Sequence, residues 1–298
     1  MDQAIAAQAG PSTLSPASPP TSSRAGSCPT CGTTPQSGFA MGVGPYVYAI
    51  GAIEPRFPRP SIEKELAQVT GRAETAGLTD RQALRKVLQE RQNRYLVRQL
   101  CWVMTIVGLE AYFITPRDPM DFDLLVEALR PSQNPADLDV VIGLRGPVAS
   151  PEMCNGLTIP IVAFDTLYSF DRASLIKAIP RPEKVPAKEF TEAAEELFDR
   201  IMQMANNAGA TDEHRALNYL AVRYPAIYTR TAEAFAANSS LTAVDVRPSG
   251  LSETRKVLDV IFSYTNRTTD VISKDFVRVD VTEEFPYLVT KLSPYYDR

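Results

Sequence analysis

Hydrophobic and polar positions in the first half of the chain alternate between strand-like and helix-like spacing. β-Branched and aromatic runs bounded by turn residues predict strands at 46–53, 102–106, 111–114, 138–144 and 159–164. Thr79 and Gln82 have the spacing of a capping box, which predicts a helix from there to about Leu100. Asp171 is placed to cap a short helix that ends near Ile179. This half therefore predicts a mostly antiparallel sheet with one long helix.

The second half begins with helical spacing and ends with strand spacing. Apolar residues recur every three to four positions from 190 to 204, which predicts an amphipathic helix. Thr211 or Asp212 is suited to start another helix, and Pro225 divides that helix from a third. Strand character follows at 244–246, 257–264, 271–281 and 287–292. The second half therefore predicts a helical stretch and then a β meander.

Composition along the chain predicts three regions. Residues 1–26 consist mostly of Ala, Pro, Ser, Thr, Gln and Gly, which cannot offset the entropy of ordering and predict a disordered arm. The stiff polar segment 180–186 carries three prolines and is typical of a domain boundary. We therefore predict an α+β domain at 27–180 and a C-terminal α+β module at 188–298. The fold class is α+β.

Overall composition and charge restrict the classes of partner. The 298 residues are 44% apolar, enough for a substantial core, and the net charge of −4 does not favour bulk attraction to nucleic acid or anionic lipid. No apolar run approaches the roughly 20 residues of a membrane-spanning helix, and the first residues lack an export signal. We expect a cytoplasmic protein without a membrane partner.

Four cysteines form the candidate metal site. Cys28 and Cys31 lie in Ser-Cys-Pro-Thr-Cys-Gly, a turn that directs two thiolates at one point. The chain has two more cysteines, Cys101 and Cys154, so a four-thiolate site must use all four. Such a site predicts structural Zn²⁺ that ties the N-terminal arm to two distant parts of the fold. The alternative is that Cys101 and Cys154 are ordinary buried core residues.

The sequence gives less support for catalysis by a histidine or for binding of nucleic acid. His214 is the chain's one histidine, and it lies among charged neighbours at a predicted helix start, which favours a solvated residue over a catalytic base. No Gly-x-Ser-x-Gly turn or phosphate-binding glycine loop accompanies it. Basic residues between Arg81 and Arg98 are spread around their helix, which favours a solvated or partner-facing surface over nucleic-acid binding. The polar interruption at 91–92 indicates a buried polar contact or a partner surface.

Longer motifs carry a family resemblance. They are Ile53-Glu-Pro-Arg-Phe-Pro58, Thr75-Ala-Gly-Leu-Thr-Asp80, Arg91-Gln-Asn-Arg-Tyr95, Asp139-Val-Val-Ile-Gly143 and Pro151-Glu-Met-Cys-Asn-Gly156. They resemble the C-terminal domain shared by the cyanobactin maturation proteases PatA and PatG, over about 28–179. The chain from Ala193 onward resembles a second module that follows that domain in stand-alone relatives. The resemblance implies a role in the biosynthesis of ribosomally made, modified cyclic peptides.

The sequence departs from the full family proteins because the subtilisin-like protease domain is missing, so no catalytic residue is carried over. We therefore expect a non-catalytic accessory module that binds a precursor peptide or a maturation enzyme. The sequence leaves open whether the chain forms a homodimer. The alternatives are a zinc-dependent peptide-modifying enzyme and a nucleic-acid-binding zinc protein.

Overall fold

A closed five-stranded barrel forms the first part of the fold. The computed structural model describes residues 45–72, 77–131, 134, 136–204, 206–250 and 254–296, so the predicted disordered arm lies outside the described residues. The barrel strands are β1 (Tyr46–Arg56), β2 (Cys101–Ile106), β3 (Leu109–Pro116), β4 (Asp137–Val148) and β5 (Pro160–Asp171). Their order is β1-β2-β3-β5-β4, and β3 and β5 run parallel while the other neighbours are antiparallel. The five strands predicted from the sequence are confirmed.

Strand β1 closes the barrel by changing partners midway. Its first half pairs with β4 as far as Gly51, and its second half pairs with β2 from Ala52 onward. A side chain at Gly51 would clash with the carbonyl oxygen of Thr105. Glycine therefore allows the close approach of β1 and β2 at the crossing.

Four helices accompany the barrel: α1 (Pro60–Arg72), α2 (Asp80–Gln89), α3 (Arg94–Gln99) and α4 (Phe122–Ala128). The predicted capping box of α2 is confirmed, because the Gln82 amide donates to the Thr79 hydroxyl and the Thr79 amide donates to the Gln82 side chain. The structure interrupts the predicted helix after Gln89 with a short 3₁₀ turn. Buried Asn93 holds this break, since its side-chain amide donates to the Val87 carbonyl at 2.9 Å. Arg91 and Gln92, the polar interruption in the sequence, are themselves exposed, and the buried polar contact is made by the next residue, Asn93.

The C-terminal part consists of four helices and a four-stranded meander. The helices are α5 (Arg172–Ala178), α6 (Ala187–Met202), α7 (Asp212–Arg223) and α8 (Ala226–Ala236). The strands β6 (Ser239–Pro248), β7 (Val257–Asn266), β8 (Ile272–Asp280) and β9 (Tyr287–Pro294) are antiparallel in sequence order. Thr211 caps α7 as predicted, and Pro225 separates α7 from α8. The α+β class with a C-terminal meander is confirmed.

The apolar interior lies on both sides of β1. Val47, Ala49 and Ile53 point into a core with the other barrel strands and helices α1–α4. Tyr48 and Ile50 point the opposite way, into a core with α6, α7, α8 and the C-terminal sheet. This alternation follows the two-residue period of a strand. Residues of both predicted domains therefore share one core, while the division at 180–188 stays a prediction.

Arg215 links these parts at the start of α7. Its guanidinium donates to the carbonyl oxygen of Val281 at 2.7 Å and to those of Glu283 and Glu284 in the β8–β9 connection. It also lies over the Tyr46 ring at the start of β1, with 5.2 Å from the guanidinium carbon to the ring centre. One buried arginine thus contacts the barrel, α7 and the C-terminal sheet.

Candidate metal centre

Two of the four predicted zinc ligands are adjacent in the structure. Cys101 is the first residue of β2, directly after α3, and Cys154 lies in the connection between β4 and β5. A disulfide joins them across 53 residues, with 6.2 Å between the Cα atoms. Both side chains are buried, with 8% and 3% exposure. Cys28 and Cys31 lie outside the described residues, so the four-cysteine site stays a prediction.

The segment that carries Cys154, residues 149–159, is here called the cover loop. Its base is closed by a hydrogen bond from the Ala149 amide to the Ile159 carbonyl at 2.9 Å. Inside it, the Gly156 amide donates to the Pro151 carbonyl at 2.7 Å, and Asn155 and Gly156 both have positive φ. Such angles suit Asn and Gly, so the loop sequence favours this tight turn.

The cover loop packs on the outer face of the barrel. Ala149 and Cys154 of the loop form an apolar cluster with Cys101, Val103 and Phe113 of β2 and β3. These three residues of β2 and β3 are therefore buried under the cover loop.

A groove of about 630 Å³ lies beside Cys154. Phe57 and Pro60 form one apolar wall, and Leu157 of the cover loop contributes to the other. The lining also carries two cations and two carboxylates, Arg56, Arg59, Glu63 and Glu110. Arg56 pairs with Glu110 at 3.3 Å. The buried cysteine pair is therefore next to an open, mixed-charge surface.

A second cleft of about 660 Å³, here called the arginine cleft, lies between β1, the tip of the β2–β3 hairpin and α6. Its walls hold the ion pairs Arg130–Asp137 at 2.5 Å and Arg172–Asp199 at 2.7 Å. Arg81 donates to the carbonyl oxygen of Arg130 at 2.8 Å. The cleft thus offers several partly exposed guanidinium groups within one concave surface.

The edge of β1 that faces the arginine cleft is closed to an added strand. The Ile53 amide donates to the Asp139 carboxylate at 2.8 Å, and Pro55 has no amide to donate. Strand addition needs free main-chain donors and acceptors, so a ligand in this cleft must be held mainly by side chains.

Asp139 is a buried carboxylate at the strand crossing. Burial raises its pKa, while hydrogen bonds from the Ser169 hydroxyl and the Ile53 amide oppose this shift. Sequence reasoning named Asp139 within a strand and a family motif, and with Asp137 as a carboxylate pair that could in principle act as acid and base. Its charge within the apolar run 138–144 was the available signal of a buried polar contact. The arginine cleft itself had no local sequence signal, because its residues come from nine separate elements and connections.

A carboxyl pair lies at the contact between the barrel and the C-terminal sheet. Burial and, after it, the hydrogen bond with Asp165 raise the pKa of Glu284, while the charges of Arg117 and Arg215 lower it, and together they bring this pKa to about 7. Arg117 pairs with Asp165 and, at 3.3 Å, with Glu284. The arrangement makes this contact sensitive to pH.

The remaining predicted candidates are placed as follows. His214 is half-buried in the first turn of α7, where the sequence predicted a solvated side chain, and its amide donates to the Thr211 hydroxyl at 3.2 Å. Among the described residues, no three His, Cys, Asp or Glu side chains are grouped to hold a metal ion. Within the same ranges, no helix combines the length and apolarity needed to cross a membrane.

Comparisons with known proteins agree with this architecture. A family model described as PatG C-terminal matches residues 184–295. A solved structure titled "PatG Domain of Unknown Function" aligns with a TM-score of 0.67 and 18% sequence identity, over 84% of this chain and 98% of that chain. No curated protein matches the chain. The chain therefore contains a PatG C-terminal-like domain at residues 184–295 and has the fold of the PatG domain of unknown function.

Proposed function

We propose that this chain is a non-catalytic accessory module in the biosynthesis of ribosomally made, modified peptides of the cyanobactin type. It docks a precursor peptide or a maturation enzyme, and structural Zn²⁺ on Cys28, Cys31, Cys101 and Cys154 holds its N-terminal arm. The PatG C-terminal match supports the pathway. The cytoplasm remains the expected compartment.

The arginine cleft is the observation that carries the docking proposal. Its volume of about 660 Å³ lies in the range of ligand sites, and one rim is the hairpin tip at Val107, which is 72% exposed. Met202 of α6 is half-buried and gives the opposite wall apolar area beside the Arg172–Asp199 pair, whereas Phe198 reaches the lining with only 1% of its surface exposed. An apolar side chain of a peptide can pack between these walls while its carboxylates compete for the arginines.

The position of the cysteine pair supports the zinc clasp. Arg56 lies opposite Cys101 in the β1–β2 register, so Tyr46, ten residues earlier in β1, is at most about 33 Å from that position. The 15 residues from Cys31 to Tyr46 can span about 50 Å when extended. The arm is therefore long enough to bring Cys28 and Cys31 back to Cys101 and Cys154. A tetrahedral thiolate site would then be complete.

Binding assays test the docking proposal. Binding of the two partners is measured separately. Fluorescence anisotropy reports the binding of a fluorescein-labelled cyanobactin precursor peptide. Size-exclusion chromatography reports the binding of a cyanobactin maturation enzyme. Arg172→Glu should weaken whichever complex forms by about tenfold or more, because it reverses a charge of the cleft and repels Asp199. Arg200→Glu, in α6 directly after Asp199 but outside the cleft lining, is the matched control and should bind normally. Failure of both partners to bind, or equal losses in the two variants, would refute docking in this cleft.

Metal analysis tests the clasp. Reduced full-length protein should bind one zinc, and replacing any of the four cysteines by serine should abolish tight binding, since a structural site is closed by all four donors. Zinc retained by the Cys101→Ser or Cys154→Ser protein would mean that other ligands complete the site.

A further inference from the structure

Strand β6 lies at one edge of the C-terminal sheet, with β7 as its neighbour on one side. The Ser249 amide donates to the Val257 carbonyl at 2.8 Å, and the same register continues without a shift back to Ala243. In an antiparallel ladder, alternate residues direct both of their main-chain groups to the neighbouring strand. Residues 243, 245 and 247 therefore face β7. Val244, Val246 and Pro248 direct their main-chain groups away from the sheet.

Two features confine the outward-facing part of this edge to residues 244–248. At one end, a β-bulge lies between Leu241 and Ala243, and the Thr242 carbonyl accepts a hydrogen bond from Arg200 of α6 at 3.0 Å. At the other end, Pro248 has no amide hydrogen to donate. Bulges and prolines are features that restrict the pairing of edge strands. The segment between them is long enough for a short ladder with one further strand.

The side chains of this segment alternate in chemistry. Val244 and Val246 are half-buried at the margin of the core, on the face of the sheet that carries the helices. Asp245 and Arg247 are exposed on the opposite face. Among the residues that the structure describes, neither of these two charges has an ion-pair partner in its own chain. The edge therefore presents one anion and one cation at equal distances on either side of Val246.

We propose that residues 244–248 form a homodimer interface, at which the β6 strands of two copies of this chain pair antiparallel about a two-fold axis at Val246. With Val246 opposite its own counterpart, Asp245 of each copy lies opposite Arg247 of the other. Two ion pairs then form across the axis. Directly opposite residues of opposite charge stabilise an antiparallel pair.

The charges also select this register over its neighbours. The outward-facing residues must pair with one another, so the ladder allows shifts of two residues at a time. Such a shift in one direction places Asp245 opposite Asp245 of the second copy. The same shift in the other direction places Arg247 opposite Arg247. Like charges directly opposite each other are destabilising, so both neighbouring registers are disfavoured.

Main-chain hydrogen bonds hold the pair together. Val246 of each copy donates to and accepts from its counterpart, and the Val244 amide of each copy donates to the Pro248 carbonyl of the other. The two four-stranded sheets thereby become one continuous sheet. Because the same segment of both copies meets at a two-fold axis, the assembly closes at two chains.

A second copy fits this edge better than an unrelated extended peptide, and β6 fits it better than the opposite edge. A peptide can use the same main-chain groups, but the balanced charges about Val246 complement themselves without any other partner. At the opposite edge of the sheet, the Leu292 amide of β9 already donates to the Tyr224 hydroxyl at 2.9 Å. That edge is therefore partly occupied by the chain itself.

Charge reversal with complementation tests the interface. Sedimentation velocity of the full-length protein over a range of concentrations measures the monomer–dimer equilibrium. The wild type should form dimers. Asp245→Arg and Arg247→Asp, each alone, should raise the dimer dissociation constant by about tenfold or more, because two pairs of like charges then face each other across the axis. An equimolar mixture of the two variants should restore dimers, since every facing pair again has opposite charges.

Two further variants separate the edge from general effects of charge. Lys291→Asp reverses an exposed charge on β9 and is the matched control, so it should dimerise like the wild type. Val246→Pro removes the donors of both central hydrogen bonds, at an edge position where proline is tolerated, and should weaken the dimer by about tenfold or more. Far-UV circular dichroism checks that each variant is folded.

Several outcomes would overturn the proposal. They are a wild type that stays monomeric at every concentration, a dimer that both charge variants leave unchanged, and a mixture that fails to restore dimers. A monomeric wild type whose binding of the labelled precursor peptide is lost in the Val246→Pro protein would show that this edge takes a peptide instead of a second copy.

Discussion

Replacing Arg215 by methionine should destabilise the whole fold. Arg215 is 1% exposed, and its guanidinium donates to Val281, Glu283 and Glu284 carbonyl groups and pairs with Asp212 at 3.2 Å. Methionine keeps much of the apolar volume but leaves the buried acceptors without donors. Breaking a buried charged network by removing one partner costs about 3–5 kcal/mol. Burial also lowers the pKa of Arg215, so part of that cost is offset when the charge is removed. We expect a net loss of about 3 kcal/mol.

Urea unfolding followed by far-UV circular dichroism measures this loss. With a denaturant slope of about 3 kcal/mol per M, the midpoint should fall by about 1 M. The melting temperature should fall by roughly 6–12 °C for a chain of this size. Lysine at the same position should recover little, because a single ammonium cannot reproduce the planar fork that reaches three carbonyl groups.

Arg267→Met is the matched control. Arg267 also lies over an aromatic ring, that of Phe235 at 4.3 Å, and donates to the Ser240 hydroxyl at 2.7 Å, but its side chain is exposed. Its loss should cost about 1 kcal/mol or less. If Arg215→Met lost no more stability than Arg267→Met, the assignment of Arg215 as the link between barrel, α7 and C-terminal sheet would be wrong.

Substitutions at three further positions test other contacts, each by urea titration against the wild type. Glu284→Gln should flatten the pH dependence of stability. Burial and Asp165 raise the pKa of Glu284 from 4.5 to about 7, so between these pH values the folded wild type holds a proton that the unfolded chain releases. The stability of the wild type therefore falls as the pH rises from about 4.5 to about 7. Equal slopes in the two proteins would contradict this. Asp139→Ala should lower the free energy of unfolding by about 1–3 kcal/mol, because the Ile53 amide loses its acceptor. Asp139→Asn should recover most of this loss, since the asparagine side chain keeps an acceptor oxygen. Similar losses in the two variants would exclude the bond to Ile53 as the cause. Gly209→Ala should cost more than about 1 kcal/mol, because φ is 72° and a Cβ would clash with the backbone of β1; unchanged stability would show that the loop can move away.

Local patterns determined most of the secondary structure. The capping box at Thr79, the cap at Thr211 and the division at Pro225 depend on neighbouring residues alone, and each is found as predicted. The break after Gln89 was not predicted as a break, because it depends on burial of the Asn93 side chain against the Val87 carbonyl. Local propensity cannot report whether a polar side chain will find a buried acceptor.

The candidate metal site likewise depends partly on the sequence and partly on the tertiary structure. The sequence identified Cys101 and Cys154 as a potential ligand pair, but their meeting depends on the cover loop folding across β2, a contact between residues 53 positions apart. The four-thiolate site predicted from the sequence uses Cys101 and Cys154 as two separate ligands, whereas this structure joins them in a disulfide.

By itself, then, the sequence determined the α+β class, most of the strands and helices, and the family resemblance, because each depends on the short-range spacing of residues. Only the tertiary structure decided three other features. They are the closure of the barrel at Gly51, the burial of Arg215 and the arginine cleft. Each of these joins elements that are far apart in the chain, and no local pattern specifies which surfaces will pack together.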